Sequence, residues 1–245
     1  MDWIIFLFFL CWGSFLNVVG YRVIHNKSIL GRSVCPRCSR KIAWYDLIPV
    51  ISWILLQGAC RYCKKRITIL YPFIELLTAF LALLTYHYMP SQYWLAYGLF
   101  FSALIVTIRT DFETMLISRY ATWCMIPCAF LLAAAGKLPL TLLSSLTGAV
   151  FGYLILWTIA RVFYAVRKIE GLGEGDLDLL AMIGSFTGIM GAWTSLFVGS
   201  FLGSIVGITI LFITKKKSTQ IPFGPWLAAG ALCYVFLQNH ILSFF

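Results

Sequence analysis

Asp111 and Asp176 are the residues whose placement asks for chemistry. Asp111 lies in LIVTIRTDFETMLI, between two apolar runs, and Asp176 in GLGEGDLDLLAMIG, at the mouth of another. An ionisable group in or at the edge of an apolar helical bundle is costly, and it marks a functional site by default. Two such carboxylates can share one proton. The ionised member takes a proton from water while the protonated member hydrogen-bonds a carbonyl oxygen, which is metal-independent amide hydrolysis. Each acid has competitors: Glu113 beside Asp111, and Glu174 and Asp178 beside Asp176. Residues two apart on a helix face different ways, so at most one of each cluster meets the partner, and the residues alone leave the choice open. Gly171, Gly173 and Gly175 lead into Asp176 and let the backbone bend and a substrate strand come close.

Four of the eight cysteines form a second constellation, Cys35-x2-Cys38 and Cys60-x2-Cys63, separated by 21 residues. Two tight CxxC turns supply the four thiolates of a tetrahedral zinc site, and four protein ligands close the coordination shell, so a structural rather than catalytic ion is expected. Neighbouring Arg37, Arg40, Arg61 and Lys64 would offset the charge of a zinc tetrathiolate. Cys11, Cys124, Cys128 and Cys233 lie in apolar helices and read as small hydrophobes.

The elements that carry these residues are membrane helices. The chain is 61% hydrophobic and only 11% charged, against roughly 25% charged in soluble domains. The pattern predicts an all-α polytopic membrane protein of about eight transmembrane helices with a small cytosolic zinc-ribbon-like loop. The spans are placed near 3–24, 68–89, 92–109, 115–135, 139–165, 177–191, 193–214 and 221–243. The first run lacks a small-residue cleavage site and ends in a basic segment, so it is expected to stay as a helix.

With both termini outside, the loops at 25–67, 110–114, 166–176 and 215–220 face the cytosol, and the links near Pro90, Gly136 and Ala192 face out. Of the 19 Lys and Arg, including Lys215, Lys216 and Lys217, only Lys137 then falls outside, as the positive-inside rule requires. The formal charge of +10 is thus an orientation signal with some contact to anionic lipid, and no nucleic-acid partner is expected. Asp111 and Asp176 fall on the same cytosolic side. In the N-terminal part, Gly13, Ser14 and Asn17 give the first helix a small, polar face for close packing. Glu75, behind Tyr71 and Pro72, is a third intramembrane acid. It reads equally as a helix-start acid or as a partner for a substrate amine or an arginine.

Together these residues resemble the type IV prepilin peptidases. GSFLNVVGYR at Gly13–Arg22, the CPRC…CRYC loop, IPVISW at Ile48–Trp53, YPFIELL at Tyr71–Leu77, TDFETMLI and GEGD match in order over essentially the whole chain. The resemblance implies a GxGD intramembrane aspartyl protease with Asp111 and Asp176 as the catalytic pair, and Cys35, Cys38, Cys60 and Cys63 as zinc ligands. It implies cleavage of prepilin or pseudopilin leaders at the cytosolic face of the bacterial cytoplasmic membrane. Methylation of the new N-terminus from S-adenosylmethionine is expected to follow. Residues 1–89, with the cysteine loop at 25–67, would be the methyltransferase part, and 90–245 a six-helix protease domain. Gly58, Glu75, Gly173, Gly175 and Asp178 fall at positions tied to substrate or methylation, with Asp178 and Glu174 expected to attract the basic leader.

The chain departs from the family pattern at Ile117-Ser118, where proline often follows the isoleucine, and at Asp178, where lysine is usual. The competing class is non-enzymatic, a transporter or a pilus or secretion assembly factor using intramembrane acids. Internal hydropathy symmetry would favour a transporter, and the sequence shows none.

Overall fold

The structure is a computed structural model that describes residues 1–28, 30–169, 171–214 and 222–242. The loop placed at 215–220, with its three lysines, lies outside the described residues. The helices are α1 (Asp2–Ile24), α2 (Ile51–Leu55), α3 (Leu70–Tyr88), α4 (Trp94–Thr114), α5 (Arg119–Ala134), α6 (Leu142–Arg167), α7 (Glu174–Thr214) and α8 (Gly224–Leu242). No strand occurs among the described residues, only two isolated antiparallel bridges. Five helices are long and apolar enough to cross a membrane (Asp2–Ile24, Leu70–Tyr88, Ser91–Thr114, Leu142–Arg167 and Glu174–Ile213), and Arg119–Ala134 and Gly224–Gln238 are shorter apolar helices. The protein is an all-α polytopic membrane protein with a cysteine cluster.

The chain divides into two compact units, Met1–His87 and Tyr88–Phe245. In the first, α1 meets α3 where Gly13 leaves room: a Cβ there would stand 2.9 Å from the Glu75 backbone. Four residues on, the Asn17 side-chain amide donates to the Tyr71 carbonyl at 3.1 Å, so the small and polar face of α1 does bond across helices.

In the second unit, α6 and α7 approach backbone to backbone. Gly148 and Gly152 on α6 face Gly184, Gly188 and the Leu180 carbonyl on α7, and a Cβ on Gly148 or Gly184 would run into the opposing carbonyl. Both pairs have the four-residue spacing that lets membrane helices touch without intervening side chains. The buried Ser145 hydroxyl donates to the Ser185 carbonyl at 2.6 Å. The same device joins α7 to α8, where Gly199 abuts Trp226 and Gly230 abuts Ser195, whose hydroxyl donates to the Leu227 carbonyl at 2.6 Å.

Two expectations are corrected here. The link placed near Ala192 falls four residues earlier: Ala192 is buried in helix, and the break is at Gly188, with φ 73° and ψ −174°. A left-handed φ of this kind is cheap only for glycine. Gly152 lies against Leu180, while the Phe151 and Trp193 ring centroids are 6.3 Å apart. Residues 180 and 193 therefore sit beside one turn of α6, although a straight helix would separate them by about 20 Å. α7 turns back at Gly188 into two limbs. The first, 174–187, is about 21 Å long at the usual rise, shorter than a hydrocarbon core of about 30 Å.

The second correction concerns 110–114, which is the last turn of α4 and not a loop. The Arg109–Glu113 ion pair spans one helical turn at 2.5 Å, and Arg109 is fully buried. The charged letters therefore continue the helix, which ends at Met115 in the left-handed region.

Gly148→Ala should lower the unfolding midpoint in detergent, because backbone atoms block the added methyl; overpacking of this sort costs about 1–3 kcal/mol. Gly98→Ala, where nothing lies within 4 Å, should not lower it. Equal midpoints for the two variants would contradict the α6–α7 packing.

Candidate active site

Asp111 is positioned by how α4 ends. Met115, at φ 55°, caps the helix by donating its N–H to the Asp111 carbonyl at 2.9 Å. The Asp111 side chain is turned into the bundle, and the residue is 4% exposed. Its Oδ2 accepts the Gly224 N–H at 2.9 Å. Gly224 opens α8, so the positive end of that helix faces the carboxylate. A Cβ on Gly224 would stand 2.9 Å from the same oxygen; the glycine is what lets backbone and carboxylate meet.

Asp176 is in the first turn of α7. Its carboxylate accepts the Gly173 N–H and feels the charge of Asp111. It is half-buried, less enclosed than Asp111. Ile117, in the link between α4 and α5, touches both neighbourhoods. A Cβ on Gly175 would lie 2.8 Å from the Ile117 Cβ, and one on Gly224 would lie 3.3 Å from its Cδ1. Gly175 is thus fixed by the approach of Ile117, while Gly173 is exposed and lies beside Asp176.

The competing acids have other partners. Glu113 is bound by Arg109, and Arg119 reaches Glu174 and Asp178, each at 3.1 Å. Asp178 is 3% exposed. A buried, paired carboxylate is not offered to a passing basic segment, so the expectation that it attracts the leader does not fit the geometry. Asp111 and Asp176 are held only by backbone donors and carry no cationic partner among the described residues. Two acids near each other, without a countercharge, can share a proton and polarise water between them.

The cysteines of the first unit come together. Their four Sγ atoms lie within 4.8 Å of one another, and Cys35 Sγ is 3.9 Å from Cys63 Sγ. Zinc–sulfur bonds of about 2.3 Å imply tetrahedral sulfur edges of about 3.8 Å, whereas a disulfide needs about 2.05 Å. The donor set therefore fits zinc. Each CxxC sits in the same turn. Cys35 N–H donates to the Arg40 carbonyl, Ser39 N–H to Cys35 and Ile42 N–H to Ser33; Cys60, Lys64 and Ile67 repeat this toward Lys65, Cys60 and Gly58. Ser39 and Lys64 both have φ 55°. The backbone N–H groups of Cys63 and then Tyr62 draw the Cys60 thiol down to about 7, toward the thiolate a metal needs. Arg61 is engaged elsewhere: it grips Asp46 with two bonds, at 2.8 and 2.6 Å, holding that carboxyl below its usual range.

Gly58 and Glu75 have local tasks. Gly58, at φ 65°, packs under the Trp53 ring. The buried Glu75 carboxylate accepts the Val50 N–H at 2.8 Å, pinning a residue at φ 61°. This fixes the loop, and it is a third role beyond the two weighed from sequence.

Sequence reasoning missed Gly224, Ile117 and Arg119, whose neighbours come from other helices and leave no local signal. It also missed that 33–42 (SVCPRCSRKI) and 58–67 (GACRYCKKRI) are one repeated turn, which the letters do display.

Comparison with known proteins gives the family of the chain. Residues 7–89 match the bacterial peptidase A24 N-terminal domain and residues 98–208 the type IV leader peptidase family. The prepilin leader peptidase/N-methyltransferase of Bacillus subtilis is 33% identical over 246 residues, covering 99% of this chain and 96% of that protein. The type 4 prepilin-like proteins leader peptide-processing enzyme of Escherichia coli O78:H11 is 32% identical, covering 92% of this chain and 90% of its own length. The prepilin leader peptidase/N-methyltransferase of Pseudomonas aeruginosa is 35% identical over 207 residues, 82% of this chain and 69% of that one. No solved structure matches. By these full-length likenesses, over the segments that hold both aspartates and all four clustered cysteines, the chain belongs to the type IV leader peptidase family.

Proposed function

We propose that this protein is a membrane-embedded aspartyl endopeptidase. It cleaves the leader from type IV prepilins or pseudopilins and then methylates the new N-terminus. The observation that carries the reading is that, of five acids at the ends of α4 and α7, Asp111 and Asp176 alone have no arginine partner among the described residues. One carboxylate of the pair accepts a proton from water, and the resulting hydroxide attacks the scissile carbonyl carbon. The other donates its proton to the carbonyl oxygen. Collapse of the tetrahedral species breaks the C–N bond, and a proton passes to the leaving amine. Gly173 and the Asp176 turn lie open enough for an extended strand to approach.

The positive-inside count supports a site at the cytosolic face of a bacterial cytoplasmic membrane with both termini outside. Membrane lipids surround the helices, and no nucleic acid takes part. Residues 90–245 carry the peptidase, and residues 1–89 carry methylation. Cys35, Cys38, Cys60 and Cys63 would hold a structural zinc ion, which ties the two halves of the loop at 25–67. S-adenosylmethionine, the donor that the family resemblance implies, would supply the methyl group. Gly58 and Glu75, as they stand, shape the loop of that unit.

Asp111→Asn and Asp176→Asn should each reduce cleavage of a prepilin by roughly 10²–10⁴-fold, the usual weight of a proton-transfer group, with unchanged unfolding midpoints. A near-normal rate in either variant removes that residue from the pair. Gly224→Ala should fold almost normally, since the added methyl meets the movable end of a side chain, yet lose roughly 10- to 100-fold in rate as Asp111 leaves its donor. Wild-type cleavage by this variant would mean the Gly224 bond is not needed. Metal analysis of purified protein should find one zinc per chain and its loss in Cys60→Ser; freshly prepared protein without zinc would refute the assignment.

A further inference from the structure

Arg119 stands where local preference opposes it. It is the first residue of α5, behind a Ser118 whose side chain provides no cap, and no acid lies in that turn. A cation at a helix N-terminus works against the helix dipole. A broken local rule of this kind is expected where a tertiary contact or a functional site compensates. The compensation comes from α7. The Arg119 Nε donates to Asp178 Oδ2 at 3.1 Å, and its NH1 lies 3.1 Å from Glu174 Oε2. These two acids are four residues apart and bracket Asp176.

The two arms are unequal. The Glu174 side chain is 81% exposed, so its arm is screened and weak. The Asp178 side chain is 5% exposed, and a buried carboxylate stripped of its cation is costly. The Asp178 arm therefore decides where the first turn of α7 rests. Asp178 points to a different face of the helix from Asp176. Fixing Asp178 on α5 fixes the rotation of that turn, and so the direction of the Asp176 carboxylate. The turn needs such a restraint because Gly171, Gly173 and Gly175 leave the chain before it permissive.

We propose that Arg119 is a positioning residue, which sets the aim of Asp176 through its ion pair with Asp178. The inference rests on Asp111 and Asp176 being the working pair. The test uses full-length protein in nanodiscs with a synthetic prepilin N-terminal segment as substrate. Arg119→Gln and Asp178→Asn should each lower kcat about tenfold or more with KM changed less than about threefold, since an aim is lost and not a binding contact. Amide hydrogen exchange at 174–178 should speed up in both. The swapped double variant, Arg119→Asp with Asp178→Arg, should recover most of kcat and slow the exchange again, a coupling that independent sites do not show.

Singles with wild-type kcat, or a swap no better than either single, would overturn the proposal. Should a neutral variant fail to fold, Arg119→Lys keeps the charge and is expected to fall between wild type and Arg119→Gln; a wild-type value there and throughout the swap series would also overturn it. The exchange measurement separates this idea from the function it rests on. If wild-type protein leaves prepilin uncut, the peptidase reading fails, while unchanged exchange in Arg119→Gln overturns the positioning role by itself.

Discussion

Holding two carboxylates near one another among apolar helices is the demand around which the second unit is organised. Such groups lose water and repel each other when both are charged, so they stay only where the surroundings supply donors and no easy escape. Here the donors are backbone N–H groups, Gly224 for Asp111 and Gly173 for Asp176. Backbone donors can approach this closely only where side chains are missing. The glycines at 173, 175 and 224 are therefore part of the same arrangement as the acids. The glycine contacts of α6 with α7 and of α7 with α8 extend it, by bringing α8 close enough to α7 for its N-terminus to face Asp111.

The arginines give the complementary half of the argument. Arg109 and Arg119 each take acids that compete with the pair, Glu113 in one case and Glu174 with Asp178 in the other. A cation placed on Asp111 or Asp176 would hold it ionised and unable to exchange a proton with its neighbour. Sorting the acids in this way leaves the two that can still share a proton. The negative charge of the buried Asp178 is balanced by Arg119, which reaches it from α5.

How much of this the letters displayed depends on whether the cost of a residue is local. Asp111 and Asp176 stood out because an acid beside apolar runs is expensive wherever the chain goes, and the CxxC pairs because thiolate spacing is chemistry in itself. The 110–114 segment has loop composition, T-D-F-E-T, and the Arg109–Glu113 spacing that keeps it helical needs burial to matter. Gly188 and Ala192 are both plausible turning points in a glycine-rich run, and the left-handed φ of Gly188 together with the packing of Phe151 on Trp193 separates them. In the sequence Arg119 is one more basic residue on the cytosolic side, and only the α5–α7 approach pairs it with Asp178.

The two aspartates differ in how firmly they are held, and this follows from which end of a helix each occupies. Asp111 is in the last turn of α4, after a long buried stretch, with its carbonyl bonded by the capping Met115 and its carboxylate by Gly224. Asp176 is in the first turn of α7, behind a permissive glycine run, half-buried and held by a donor from that same run. One acid is thus part of the rigid bundle and the other belongs to a turn that is steadied from outside, by Ile117 against Gly175 and by Arg119 against Asp178. Both supports come from 115–119, the short segment that begins where the Asp111 helix ends. That segment begins with the left-handed Met115, so the backbone that ends the Asp111 helix also carries the two side chains that brace the Asp176 turn.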